Sequence, residues 1–170
     1  MPEDVAITAI RTDFIEKTGL ITQAEGLPRI AGRVFGMLIF DGDMVSFGDL
    51  AKRLQVSRAS ISTSIRILEE RGLVKRMTKP GQRQDYFQLA SNPYMTMLEG
   101  IQKRTRATRD EIAQTIDALP SGAGAIERLQ EYADFYALTD AAIGVALDEL
   151  AKSKHVKRGK PQSVPKGRKK

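Results

Sequence analysis

Capping and turn residues between positions 46 and 83 constrain this chain more than any other feature of its sequence. Ser46 and Asp49 have the spacing of a capping box, which satisfies the free N–H groups at the start of a helix. A tight turn at 55–57 follows, and Ser57 is a favourable N-cap for a second helix over 58–71. Gly72 supplies the left-handed conformation that ends it. The sequence therefore predicts a short helix and a longer one joined by a tight turn.

Two strands, over residues 73–78 and 84–90, are predicted directly after this pair of helices. Pro80-Gly81 suits the middle of a type II turn, whose third position needs a positive φ, so the strands form a hairpin. Further helices are predicted over 3–18 with Gly19 as the stop, from Pro28 to Asp41, from Asn92 to Leu119 and from Ala123 to Lys152. The predicted fold class is mainly α with a small β-wing (α+β), a winged helix-turn-helix with further helices at both ends.

Gly32 and Gly36 lie four residues apart on the helix that begins at Pro28. Each glycine weakens a helix by about 1 kcal/mol relative to alanine, so a reason for them is expected in the packing. We predict that another element approaches this helix closely along the glycine face.

The helix over 58–71 divides its surface into an apolar face and a small polar one. At 100° per residue, three apolar side chains share a narrow arc and are predicted to face the core: Ile61, Ile65 and Leu68. Four hydroxyl residues occupy the first two turns: Ser60, Ser62, Thr63 and Ser64. They are mediocre helix formers, unlike the Glu and Lys typical of a face that is merely solvated. The remaining surface is covered largely by Ala59, Ser60, Ser62, Thr63 and Arg66. This small polar face indicates a helix that enters a DNA major groove, and a solvated helix face is the alternative.

The turn of the hairpin adds cations beside this helix, since Lys79 and Arg83 flank Gly81. Such a turn can grip a phosphate or enter the minor groove, and a turn that is charged only for solubility is the alternative. The predicted contacts with double-stranded DNA are Ser57, Arg58, Ala59, Ser60, Ser62, Thr63, Arg66, Lys79, Gly81 and Arg83.

Charge alternates in blocks along the chain. Residues 27–90 carry 11 basic and 6 acidic side chains, and residues 152–170 carry 9 basic and none acidic. The other two blocks are acidic. Residues 1–26 carry 2 basic and 5 acidic side chains, and residues 91–151 carry 5 basic and 10 acidic side chains. Concentrating positive charge on one part of a chain is typical of a polyanion-binding protein.

Several function classes are disfavoured by what the sequence lacks. It has no cysteine and one histidine, His155, so no metal site, disulfide or His-based catalytic relay is expected. No phosphate loop or paired acid–base group is recognisable, so we predict no catalytic residues, no cofactor and no enzyme activity. The longest apolar run, Met37 to Phe40, is too short for a membrane span, and residues 1–4 do not open a secretory signal. We expect a cytoplasmic protein.

Four stretches in ordered succession carry a family resemblance that spans about residues 5 to 100. They are Gly26-Leu27-Pro28-Arg29-Ile30-Ala31-Gly32-Arg33, Ser57-Arg58-Ala59-Ser60-Ile61-Ser62, Gly72-Leu73-Val74 and Pro80-Gly81-Gln82-Arg83-Gln84-Asp85-Tyr86. The chain resembles MarR-like winged helix-turn-helix transcriptional regulators of the GbsR type. That resemblance implies a homodimer joined through N- and C-terminal helices, control of transport or osmoprotectant genes, and choline or betaine sensing in some members.

Four regions are predicted along the chain. They are an N-terminal dimerisation helix (1–22), the DNA-binding domain (23–91), a C-terminal helical dimerisation and effector region (92–152) and a disordered basic tail (153–170). An apolar stripe on the last helix supports the third: Ile126, Leu129, Ala133, Tyr136, Ile143, Ala146 and Leu150. A helix this long extends past one winged-helix core. Pairing with helices of a second subunit is therefore the simplest way to bury its apolar face. Packing against its own N-terminal helix is the alternative.

The last helix also carries three aromatic residues beside Glu131 and Asp134: Tyr132, Phe135 and Tyr136. Such a cluster can bind a small cationic effector by cation–π attraction, and an interface core is the alternative. The tail is either a flexible arm that raises nonspecific DNA affinity or a solubilising end.

The sequence thus predicts a DNA-binding transcriptional regulator, a homodimeric repressor that a small-molecule effector releases. The competing hypotheses are a winged helix used for protein–protein contact and general DNA binding without an effector.

Overall fold

The computed structural model describes residues 2–158, with side chains from Asp4 to Ser153. Nine elements follow one another: α1 (Pro2–Ala24), α2 (Arg29–Asp41), β1 (Val45–Ser46), α3 (Phe47–Leu54), α4 (Arg58–Glu70), β2 (Val74–Met77), β3 (Tyr86–Leu89), α5 (Pro93–Ala118) and α6 (Ile126–Arg158). They form two compact units that divide between Met97 and Leu98. The predicted order of helices and hairpin is confirmed.

The core of the first unit is built from every element up to β3. Its buried members are Ile15, Ala31, Val34, Phe35, Met37, Leu38, Val45, Leu50, Leu54, Ile61, Ile65, Leu68, Leu73, Val74 and Phe87. Because the three α4 residues predicted to face inward are among them, the apolar arc of that helix is confirmed. α4 is therefore held by its inner face, and its other face is left for contacts outside the domain.

The glycines of α2 lie against α1. A Cβ on Gly36 would come within 2.9 Å of Thr18 Cβ, and one on Gly32 would overlap Thr22 Oγ1 and lie 2.9 Å from Gly19 Cα. The predicted close approach is confirmed, and its partner is α1. The predicted helix stop at Gly19 is wrong, because α1 continues to Ala24. Gly19 instead lies where α1 and α2 come closest, opposite Gly32. The chain turns instead at Gly26, where φ is +82°.

Three antiparallel strands in the order β1-β3-β2 form the sheet. β3 pairs with β2 from Val74↔Leu89 to Met77↔Tyr86 and with β1 through Val45↔Phe87 and Ser46↔Tyr86. β1 was not predicted, since two residues carry no periodicity. The hairpin strands are shorter than predicted by one or two residues at each end.

The local helix and turn signals are confirmed. Ser46 Oγ accepts the N–H of Asp49 at 3.1 Å and donates to its carboxylate at 2.8 Å, so the capping box opens α3. Gly72 has φ +67° after α4, and Gly81 has φ +77° in the hairpin turn. Asp41 is the last residue of α2, as predicted. Its carboxylate accepts hydrogen bonds from Nε and Nη2 of Arg11 at 2.6 and 2.7 Å, and these bonds raise the pKa of Arg11.

The second unit pairs the rest of α5 with α6. Arg106 and Arg109 both bind Asp140, at 2.9 and 3.6 Å. The apolar stripe predicted on α6 is half-buried, and Ala133 in it is 8% exposed. The predicted helix end at Lys152 is wrong: α6 runs to Arg158, and no glycine or proline lies between Lys152 and Arg158 to interrupt it. The remainder of the predicted tail, 159–170, lies outside the described residues.

Candidate nucleic-acid interface

The start of α4 is fixed by its cap. Ser57 Oγ accepts the N–H of Ser60 at 3.1 Å, and the two hydroxyl groups lie 2.9 Å apart. The two residues, both predicted to contact DNA, thus hydrogen bond to each other. Ser57 is exposed and Ser60 is half-buried. The cap leaves the helix N-terminus open to solvent, where backbone N–H groups and the helix dipole favour a phosphate.

Between residues 59 and 66 the outward surface of α4 carries four exposed residues, which we call the reading face: Ala59, Ser62, Thr63 and Arg66. Within the described residues Arg66 makes no ion pair. Ser64 differs from the other hydroxyl residues of the first turns, because it is 2% exposed and lies with the core side chains. The reading face is therefore small, polar and free of large side chains except for one unpaired cation.

Arg58 is held beside this face. Its guanidinium carbon lies 4.8 Å from the ring centroid of Phe47, at the start of α3. Stacking on an aromatic ring orients a guanidinium while leaving its N–H groups free to donate. Arg58 thus joins the first residues of both helices of the helix-turn-helix.

The wing turn, residues 78–85, connects β2 to β3. Gln82 N donates to Lys79 O at 3.1 Å, which closes the predicted turn around Pro80 and Gly81. Arg83 is exposed and, like Arg66, makes no ion pair among the described residues. Lys79 differs, because its ammonium lies 4.2 Å from the ring centroid of Tyr86. The two wing cations, treated alike in the sequence, therefore have different surroundings.

Arg76 is a link that sequence reasoning missed. From β2 its guanidinium reaches Glu69 of α4 at 3.0 Å and Asp85 of the wing turn at 3.0 Å, and it lies 5.5 Å from the Phe87 ring centroid. Hydrogen bonds and charge attraction from Glu69 raise the pKa of Arg76. No local pattern marks it, since the partners are brought together by tertiary structure. The link ties the wing to the C-terminal end of α4.

The three aromatic residues of α6 do come together. Tyr132 and Tyr136 pack edge to face with centroids 5.1 Å apart, and Phe135 lies 5.3 Å from Tyr136. The Tyr132 hydroxyl hydrogen bonds to that of Tyr136 and raises the pKa of Tyr136. A cavity of about 330 Å³ between α5 and α6 has none of the three in its lining, which is Arg109, Ala113, Ile116, Asp117, Gln130, Ala133, Asp134 and Ala137. The rings therefore form an aromatic patch on the surface of α6, with Tyr132 48% and Phe135 59% exposed.

The described part of the chain contains neither a cluster of metal ligands nor a membrane-spanning helix. No three His, Asp or Glu side chains among residues 4–153 converge as metal ligands would. In the same range no helix combines the length and the apolar character that crossing a bilayer requires.

Comparison with known proteins assigns this winged helix to a family. A family model described as MarR family matches residues 25–84. The HTH-type transcriptional regulator MmpR5 of Mycobacterium tuberculosis is 31% identical over 144 residues, which cover 79% of this chain and 83% of that protein. The chain belongs to the MarR family. The chain is also similar to a crystal structure of a transcriptional regulator, which is 29% identical, with a TM-score of 0.67, over 84% of this chain and 98% of that one.

Membership of the MarR family confirms the fold class predicted from the sequence, a mostly helical winged helix with a small antiparallel sheet. It also confirms the predicted function at the level of a DNA-binding transcriptional regulator. The matched residues, 25–84, include α2, β1, α3, α4, β2 and most of the wing turn.

Proposed function

We propose that this MarR-family chain acts as a homodimeric repressor, in which α4 enters the major groove of operator DNA and the wing turn lies over the neighbouring minor groove. The proposal depends on the reading face of α4, which is small and polar. The opposite face of the same helix is buried in the core, so the position of the reading face is fixed. Its contacts would come from Ser57, Arg58, Ala59, Ser60, Ser62, Thr63 and Arg66, with Lys79, Gly81 and Arg83 from the wing turn.

The chemistry of these residues supports separate roles. Hydroxyl groups donate to phosphates and to base edges at short range, whereas an arginine can bind a guanine edge in a bidentate manner. Arg66 and Arg83 are the candidates for such contacts, since each is exposed and neither is used in an ion pair within the described residues. Arg58 would reach the phosphates from its position on Phe47.

The reading face is tested by Arg66→Ala, with Arg71→Ala as the matched control. Both arginines are exposed and lie on or directly after α4, but Arg71 follows its C-terminal end. Fluorescence anisotropy with operator and scrambled duplexes should show a loss of about 1–3 kcal/mol in operator binding for Arg66→Ala alone. Equal losses for both variants on both duplexes would indicate general electrostatic binding. Absence of binding by the unmodified protein at low salt would favour a protein-contact module.

A second subunit is proposed to cover apolar surface that the chain leaves exposed. α1 exposes Val5 (71%) and Ile10 (62%), and α6 exposes Leu138 (73%) and Val145 (64%). Exposed apolar side chains gathered on one element mark interaction surfaces more often than single ones do. The proposed division is 1–22 for dimerisation, 23–91 for DNA binding and 92–152 for dimerisation and effector binding.

Dimerisation is best tested by charge insertion rather than by deletion, because Ile15 of α1 belongs to the core. Val5→Asp with Ile10→Asp, and separately Leu138→Asp with Val145→Asp, should produce monomers in sedimentation experiments while the circular dichroism spectrum is kept. Lys17→Asp, at an exposed position of α1, is the matched control. Dimers that survive both double substitutions would place the interface elsewhere.

The GbsR-type branch and its effector are proposed on the resemblance of residues 26–33 and 80–86 and on the aromatic patch of α6. Choline or betaine would meet the faces of Tyr132, Phe135 and Tyr136 by cation–π attraction. Release of operator DNA by millimolar choline, lost in Tyr132→Ala, is the expected result. No release would leave a regulator that binds DNA without this effector. A DNA target also supports a cytoplasmic location and a role without enzyme activity.

A further inference from the structure

Tyr86 is buried on the side of the sheet that faces away from the core. Neighbouring residues on a strand point to opposite faces, and Phe87, which follows Tyr86 on β3, is a core residue with 1% exposure. Tyr86 is only 7% exposed although it is not a member of the core cluster. Something other than the core must therefore cover its ring.

The cover comes from the wing turn. The Lys79 ammonium lies 4.2 Å from the Tyr86 ring centroid. The Tyr86 hydroxyl donates to Gln82 Oε1 and accepts from Gln84 Nε2, the latter at 2.9 Å. Three polar side chains from one short turn thus converge on one ring, and their aliphatic parts can shield it while their polar ends stay satisfied.

We propose that Tyr86 is a positioning residue that folds the wing turn over its own ring and thereby presents Arg83 to DNA. Lys79 then serves as part of this clamp and adds no phosphate contact of its own. The proposal rests on the proposed function for the role of Arg83, and it changes the role given there to Lys79.

The charge environment separates the two wing cations in the same way. Lys79 is half-buried against the ring, where its charge is already engaged, whereas Arg83 is exposed two residues after the positive-φ glycine. A turn that is ordered before binding loses less conformational entropy when it docks. Releasing the side chains of Gln82 and Gln84 from Tyr86 should therefore weaken operator binding by about 5- to 150-fold, which corresponds to roughly 1–3 kcal/mol for the two side chains together.

The clamp is tested first without DNA, by trypsin cleavage of the full chain. The Arg83–Gln84 bond is a trypsin site, whereas the Lys79–Pro80 bond is protected by its proline. Tyr86→Phe keeps the ring but removes both hydrogen bonds, and it should raise cleavage after Arg83 severalfold with little change in the thermal midpoint. Tyr94→Phe, at an exposed tyrosine of the same unit, is the matched control. Cleavage that is unchanged in Tyr86→Phe would overturn the clamp, whatever the protein does with DNA.

The second test compares the salt dependence of operator binding in Lys79→Gln and Arg83→Gln. Each phosphate contact that is lost lowers the log–log salt slope by about 0.9. Arg83→Gln should lower the slope by that amount, whereas Lys79→Gln should lower the affinity and raise trypsin cleavage with the slope nearly unchanged. A slope reduction of about 0.9 in Lys79→Gln would overturn the clamp role of Lys79. If Arg83→Gln leaves operator binding unaffected while trypsin confirms the clamp, it is the proposed function of the wing that fails.

Discussion

Replacing Gly32 by alanine tests how closely α1 and α2 must approach each other. The added methyl would overlap Thr22 Oγ1, and it would lie 2.9 Å from Gly19 Cα and 3.0 Å from Thr18 O. The last two are backbone atoms of α1, so rotation of a side chain cannot relieve them. The hydroxyl of Thr22 is itself bonded to the carbonyls of Thr18 and Gly19. We therefore expect α1 to be displaced from α2.

The expected size follows from two opposed effects. Overpacking a tight contact costs about 1–3 kcal/mol, and backbone contacts on a buried helix pair place this site at the upper end. Alanine in place of glycine returns up to about 1 kcal/mol of helix propensity. The free energy of unfolding should fall by about 2 kcal/mol, which lowers the thermal midpoint by about 4–8 °C for a chain of this length.

Chemical denaturation followed by circular dichroism measures this loss, and Gly48→Ala is the matched control. Gly48 also lies in a helix, but the nearest atom to its added methyl is Arg58 Nη1 at 4.0 Å, so no loss is expected. The double variant Gly32→Ala with Thr22→Ala should recover part of the loss, because it removes the overlapping oxygen but leaves Gly19. If Gly32→Ala were as stable as Gly48→Ala, the helices would not be in the close contact described.

Three further predictions concern α4, the wing and the tail. Ile65→Ala should cost about 2–5 kcal/mol in the free energy of unfolding, since the side chain is 2% exposed, and a near-neutral result would contradict the inward face of α4. Arg76→Met should lower the free energy of unfolding by less than about 1 kcal/mol, because the ion pairs of Arg76 are half-exposed. It should still weaken operator binding severalfold in fluorescence anisotropy, since it releases the wing from α4, whereas the control Lys75→Met should change neither quantity. Deleting 159–170 removes five cations and should lower affinity for operator and random DNA by similar factors, with salt slopes reduced by up to about 0.9 per contact. An unchanged slope would mean that the tail makes no contact with DNA.

What the sequence by itself determined is the part of the fold that depends on neighbours in the chain. The capping box at Ser46, the N-cap at Ser57 and the positive φ at Gly72 and Gly81 act within a few residues, so spacing alone predicts them. The inward arc of α4 is equally local, because helix geometry fixes which residues share a face. These signals were enough for the order of α3, α4 and the hairpin and for the reading face.

Only the tertiary structure decided which distant residues meet. Gly19 looks like a helix stop until α2 is packed against it, and β1 exists only because Val45 finds Phe87 on β3. Lys79 and Arg83 are equivalent in the sequence, and they differ in the structure because Tyr86 lies under one of them. Short-range rules describe the free energy of a segment with its neighbours, whereas these contacts depend on burial and pairing between segments that only the folded chain brings together.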